Sequence, residues 1–272
     1  MVDWRAHKRL MLDGFVFANL AFLALDIFIA HSTNGFAAAA EWVPLVFSVA
    51  GALAVGVCLH PRPVHAGRAR KMVMNAVGLG AVVVGIAGMV LHLDSHFFEQ
   101  QSVTNLVYTA PFAAPLAYAG LGLLLVMNRM VPEEGDEWAR WVVVLALGGF
   151  AGNFVLSLCD HAQNGFFRPT EWVPVFAGAV GVGFLTVAAF GRARAGFHRV
   201  CLAVLAGEAI VGVVGFVLHA SASMHGGGAT FVDRVVFGPP IFAPLLFANL
   251  AVLAVMGVAE LAAGGRDPSH GV

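Results

Sequence analysis

Charged side chains are scarce in this 272-residue chain: only 11% of positions are Asp, Glu, Lys or Arg, while 59% are hydrophobic. A soluble domain is about a quarter charged, so the chain lacks the polar surface to face water all round. The few charges are balanced, 15 basic against 16 acidic, and the basic residues are scattered. That distribution excludes a nucleic-acid partner. Cysteine is nearly absent. Cys58, Cys159 and Cys201 each lie within or at the end of an apolar run, so no disulfide framework is expected, and they read as small packing residues. The chain has no CxxC, no Cys/His zinc spacing and no CxxCH, which removes covalent c-type haem. No nucleotide-binding loop occurs either, so any energy source would be an ion gradient or a redox partner.

What is present is a series of long apolar runs. A membrane span needs about 20 mostly apolar residues, and eight runs approach that length: Leu10–Ala30, Trp42–Leu59, Met72–Leu93, Tyr108–Met127, Trp141–Leu158, Trp172–Phe190, Val200–Ala220 and Ile241–Ala259. Apolar all round rather than on one face, they read as membrane helices. The expected fold is an all-α integral membrane protein of about eight transmembrane helices, partnered by the lipid bilayer. Spans and short loops use up the length, leaving no room for a separate soluble domain.

Lys and Arg set the expected orientation. Arg5, Lys8 and Arg9 precede the first span; Arg62, Arg68, Arg70 and Lys71 fill the second connection. Arg129 and Arg140 lie in the fourth, Arg192, Arg194 and Arg199 in the sixth, and Arg266 in the tail. Only Arg168 and Arg234 fall in odd-numbered connections. Both termini are therefore expected in the cytoplasm of a plasma or inner membrane, with the odd connections periplasmic or extracellular. A basic start and an apolar run also suit a cleaved leader. However, Asp13, Asn19 and Asp26 interrupt the run, and Trp138–His161 matches it internally, so it reads as a retained helix.

Self-comparison adds the most. The pattern HxxNGFxxxxEWVP begins at His31 and again at His161, an offset of 130 positions. Val90-Leu91-His92 returns as Val217-Leu218-His219, and Pro111 to Leu116 returns as Pro240 to Leu245. The order is the same in both halves, which predicts two tandem four-helix repeats, residues 1–130 and 131–272, forming one membrane domain. An even number of spans per unit keeps the copies parallel, related by a pseudo-two-fold axis along the membrane normal.

Within the shared motif, Asn-Gly suits a tight turn and Trp42 and Trp172 suit the membrane interface. Glu41 and Glu171 suit a helix N-terminus, and Pro44 and Pro174 its first turn. The histidines are left over. Six of eleven fall at the outer face: His31, His92, His96, His161, His219 and His225. His92 and His96 have the spacing that puts two imidazoles on one helical face if the helix continues that far. His31 with His92 and His96, and His161 with His219 and His225, could each offer three nitrogens to a metal. Glu41 or Glu171 could act as a carboxylate ligand or a proton acceptor, Asp94 as a ligand or a support to one, and Asp26 and Asp160 could orient an imidazole through its second nitrogen. Such ligands favour zinc, copper or iron over magnesium or calcium. Haem b is the rival centre, with His92 and His219 a possible axial pair.

Glu208 stands near the middle of the seventh span, where the first repeat has about Ala81. An intramembrane carboxyl is a functional candidate by default. Pro115 and Pro244 either kink the last helix of each unit or start it. Asn19, Asn75, Asn153 and Asn249 suit interhelical hydrogen bonds, and the glycines of the third span suit close helix contact. The leading functional expectation is a redox or metal-dependent membrane protein with a metal or haem site near the outer face. The alternatives are a pseudo-symmetric transporter or channel using Glu208 and the histidines for proton or ion coupling, and a structural subunit of a larger membrane complex.

Overall fold

The structure is a computed structural model that describes residues 7–60, 67–191 and 193–264. Arg5, Arg62, Arg192 and Arg266, which entered the charge comparison, lie outside the described residues. Helix α1 (Lys8–Ser32) leads through a 3-10 turn (Ala39–Glu41) into α2 (Trp42–Leu59) and α3 (Arg68–Asp94). A short α4 (Val103–Tyr108) and α5 (Leu116–Met130) follow. Next come α6 (Glu137–Gln163), a second 3-10 turn (Pro169–Glu171), α7 (Trp172–Phe190), α8 (Ala195–His225), the short α9 (Phe231–Val236) and α10 (Leu245–Gly264). No strand occurs among the described residues.

Seven of these helices, α1, α2, α3, α6, α7, α8 and α10, are long and apolar enough to cross a membrane. Their flanks carry large apolar side chains in the open, such as Leu53 at 66% and Val83 at 67% exposure. Water penalises such a surface; lipid does not. The chain is a helical membrane protein on these grounds.

The expected fourth span, Tyr108–Met127, takes a different form. Its first residue closes α4, a non-helical stretch follows, and only then does the 15-residue α5 begin, about 22 Å long at 1.5 Å per residue and so shorter than a hydrocarbon core of about 30 Å. The prolines are the reason. Pro111 lies in the non-helical stretch, and Pro115 sits as N-cap of α5 with helical φ −60° and ψ −22°. Lacking an N–H, proline suits a helix start and not its interior. Pro244 likewise precedes α10. Both prolines therefore start helices rather than kinking them.

Helix α1 packs on α2 and α5, and α3 lies along α5. Helix α6 packs on α7 and α10, and α8 lies along α10. The pairs cross closely where glycine leaves the backbone bare. A methyl placed at Gly78 would lie 2.9 Å from the Gly122 carbonyl oxygen, and one at Gly212 would lie 2.9 Å from that of Pro244. Trp138, Phe150, Phe247, Leu124 and Leu125 are fully buried between the helices.

Among the polar contacts that tie α1 to the rest, two groups stand out. Near mid-helix, the Asn19 and Asn249 amides bond reciprocally, Nδ2 to Oδ1, at 3.2 and 2.5 Å. Asn19→Leu is expected to cost about 0.5–1 kcal/mol, read as a lower unfolding midpoint in detergent. If the pair is the unit, the Asn19→Leu/Asn249→Leu double variant should lose no more than either single variant.

The second group is a buried network at the end where α1 begins. Asp13 accepts from Arg129 Nη2 at 2.7 Å and from Asn128 Nδ2 at 2.9 Å. Asn128 in turn accepts from the Trp138 indole at 3.0 Å. Lys8 pairs with Glu260 at 3.0 Å and lies 5.2 Å from the centre of the Trp138 ring. The network joins α1, α5, α6 and α10 at one end of the bundle. The histidines of the repeated motif lie at the opposite end.

Candidate functional site

The repeated motif builds the same local structure twice. Helices α1 and α6 each end in an Asn-Gly-Phe turn. Gly35 and Gly165 both have φ +68°, and Phe36 and Phe166 follow with φ +55° and +49°. A left-handed phenylalanine is strained by about 1–3 kcal/mol and persists only where its surroundings hold it. Here the Phe36 amide donates to the His31 carbonyl and the Phe166 amide to the His161 carbonyl, each at 3.1 Å. The two rings also pack on indoles, with centroids 4.4 Å apart for Phe36–Trp42 and 3.9 Å for Phe166–Trp172. The turn thus folds the chain back and brings Glu41 beside His31 and Glu171 beside His161.

The carboxylates approach the imidazoles without closing a hydrogen bond. Glu41 Oε2 is 3.7 Å from His31 Nδ1, and Glu171 Oε2 is 3.9 Å from His161 Nδ1. Both Oε2 atoms are buried and have no hydrogen-bond partner among the described residues. Glu41 Oε1 accepts from Asn34 Nδ2 at 2.9 Å. In the second half Asn164 donates instead to the Asp160 carbonyl, at 3.4 Å. That is one point at which the copies differ.

A second histidine approaches each of these from the next long helix but one, α3 in the first half and α8 in the second. His92 is 6.3 Å from His31 between ring centroids, with the planes at 74°. In the second half His219 is near enough to His161 for their charges to interact. His92 Nδ1 pairs with the Pro111 carbonyl at 2.9 Å, and His219 Nδ1 with the Pro240 carbonyl at 2.8 Å. A nitrogen held by a carbonyl fixes the tautomer and leaves Nε2 as the ligating atom. None of the four Nε2 atoms makes a hydrogen bond among the described residues.

The structure therefore brings together His31, His92 and Glu41 in one half, and His161, His219 and Glu171 in the other. It does not add the remaining expected residues. Helix α3 ends at Asp94, so His96 and Asp94 lie on an exposed helix end and turn, and the i,i+4 face with His92 never forms. His225 closes α8, is exposed, and pairs through Nδ1 with the Ser221 carbonyl of its own helix at 2.8 Å. Among the described residues the carboxylates found beside His31 and His161 are Glu41 and Glu171, not Asp26 and Asp160. Among the described residues, no group of three or more His, Cys, Asp or Glu side chains is placed to hold a metal ion. The three cysteines are unpaired thiols, Cys58 and Cys201 buried.

Sequence reasoning missed the Pro111 and Pro240 carbonyls. Their signal was the pairing itself, since a histidine precedes the proline by 19 and by 21 positions in the two halves. It also missed Tyr118, buried between α2 and α5. The Tyr118 hydroxyl bonds to Ser48 and donates to the Pro44 carbonyl at 2.8 Å, which anchors the start of α2. A lone tyrosine in an apolar run carries no such signal.

Glu208 lies apart, along α8. It is 3% exposed, and its Oε2 has no hydrogen-bond partner among the described residues. Compared with known proteins, the chain matches no protein family, no curated protein and no solved structure.

Proposed function

We propose that the protein is a membrane protein that holds a transition-metal centre, as a bound ion or as haem iron, between paired imidazoles, one pair in each half. His31 and His92 form the first pair, and His161 and His219 the second. The observation that carries this reading is the duplicated arrangement of Nδ1 atoms against carbonyl or carboxylate oxygens with Nε2 left over. Metal-bound histidines are usually held this way through their second nitrogen. The 6.3 Å between the His31 and His92 centroids suits one ion between two rings, given metal–nitrogen distances of about 2.0–2.1 Å. Two protein ligands per site favour haem b iron or copper over zinc, whose sites take three or four. The orphaned Oε2 of Glu41 and of Glu171 would accept a proton from the imidazole beside it and stabilise charge on the centre.

The same reading takes residues 1–130 and 131–272 as two copies of one unit, running parallel, with both termini cytoplasmic. The recurring motif, the matched Phe36 and Phe166 turns and the matched proline contacts support it. The basic residues gathered at the end away from the histidines support the orientation. The histidine end would then face the periplasm or exterior, where a redox partner or another membrane subunit could reach it.

Metal analysis and an absorption spectrum of the detergent-purified protein test this. The expected result is bound copper, iron or zinc, or a Soret band. His92→Ala and His219→Ala should each lower the content by about half and the double variant should abolish it. Unchanged content in the double variant would move the centre elsewhere. No metal and no Soret band after reconstitution with each metal and with haem would end the proposal.

A further inference from the structure

Glu208 marks a second site, apart from the imidazole pairs. Its carboxyl packs where α8 crosses α7 at Gly181: a methyl built at Gly181 would lie 3.3 Å from Glu208 Oε1 and 2.9 Å from the Phe150 ring. The side chain lines a shallow, widely open groove of about 590 Å³ between α7 and α8. The volume suits a small organic molecule. Trp172, Val173, Phe176, Val180 and Val204 form much of the lining, and among the described residues Glu208 is its only charged one. No salt bridge reaches Glu208 among the described residues, and its Oε2 is buried without a partner there.

A carboxylate in such surroundings is costly unless its charge is neutralised. The described residues supply no cation, so neutralisation comes from a proton or from an occupant. A neutral lipid tail would fill the groove and leave the carboxyl unanswered. A cation with an apolar body satisfies both parts: its charge meets Glu208, and its body lies against Trp172 and Phe176, whose ring faces attract positive charge. The groove reaches from Glu208, in the middle part of α8, to Trp172 at the start of α7. An occupant could therefore enter from the membrane or from the histidine end. Ala81, itself buried, stands in the position of Glu208 when the first repeat is aligned on His92 and His219, so only one half has the acid.

We propose that this groove binds a membrane-soluble monovalent organic cation, one per chain, with Glu208 as its counter-charge. Tetraphenylphosphonium is the probe, measured by equilibrium binding to the full chain in detergent. Saturable binding of one equivalent is expected, weakened at least tenfold by Glu208→Gln and unaltered by His92→Ala. Glutamine keeps the shape, and a retained melting transition would show that the variant is folded. Wild-type protein gives an independent reading. Dicyclohexylcarbodiimide, which modifies protonated carboxyls in apolar surroundings, should label Glu208, and tetraphenylphosphonium should suppress the labelling. Equal binding by Glu208→Gln, no saturation by the wild type, or labelling indifferent to the cation would overturn the proposal, the last leaving Glu208 with a proton alone. The result is separable from the imidazole sites, because loss of metal in His92→Ala and loss of the cation in Glu208→Gln are read on different variants.

Discussion

Asp13→Ala is expected to be among the most destabilising single changes in the protein, by about 3–5 kcal/mol, measured as loss of unfolding midpoint in detergent. The Asp13 side chain is 5% exposed and that of its partner Arg129 is 11% exposed, at 2.7 Å. Removing the carboxylate leaves a guanidinium buried near the membrane end with, among the described residues, one remaining bond, to the Leu125 carbonyl at 2.6 Å. It also takes an acceptor from Asn128, which in turn positions Trp138. An uncompensated buried charge, more than the lost attraction, accounts for the size of the effect. Two comparisons test that cause. Arg70 approaches Asp13 only to 3.9 Å with its side chain 42% exposed, so Arg70→Ala should stay within about 1 kcal/mol. The double variant Asp13→Ala/Arg129→Met buries neither charge of this pair and should recover much of the loss. If it is no better than Asp13→Ala, the charge is not the cause.

The second large effect concerns the approach of α3 to α5, where two glycines should respond to one methyl group with opposite signs. At Gly122 an added Cβ would meet the backbone of Gly78 and the side chains of Ala81 and Val82, both at 3.0 Å. The backbone cannot yield without parting the helices. Gly122→Ala should therefore cost about 1–3 kcal/mol as an overpacked contact, although alanine is the better helix former. Gly120, two residues earlier in the same helix, has nothing within 4 Å of the same atom. There the helix preference acts alone, and Gly120→Ala should be neutral or stabilise by up to about 1 kcal/mol. Unfolding of the two variants side by side gives the comparison, and a loss at Gly120 equal to that at Gly122 would rule out close packing as the reason.

Much of the site is legible in the amino-acid sequence, for reasons that differ residue by residue. The HxxNGFxxxxEWVP pattern puts a turn at Asn34-Gly35 and at Asn164-Gly165, and the backbone turns there with positive φ. It also marks His31 and Glu41 as partners in one motif, because ten positions across a tight turn return the chain to its starting point. The nearness of His92 to His31 follows from span ends meeting at one face. His96 falls outside the site because spacing on a helix presumes the helix, and α3 stops at Asp94. His225 falls outside it because sequence position gives no ring direction, and its Nδ1 turns back to its own helix.

The amino-acid sequence by itself determined that this is a helical chain for an apolar environment, since paucity of charge and the length of the apolar runs need no partner residue to be read. It also determined the internal recurrence and the candidate histidines. Tertiary structure alone decided the rest. Pro111 and Pro115 broke the expected fourth span, leaving a shorter α5 against α3. Two carbonyls, which are invisible in a list of side chains, fixed His92 and His219. Asp13, an interruption of an apolar run in the sequence, became one centre of a network joining four helices. The scarcity of charge is the common reason: with so few polar groups, each one's role depends on which other group the packing brings within about 3 Å, and periodicity cannot specify that distance.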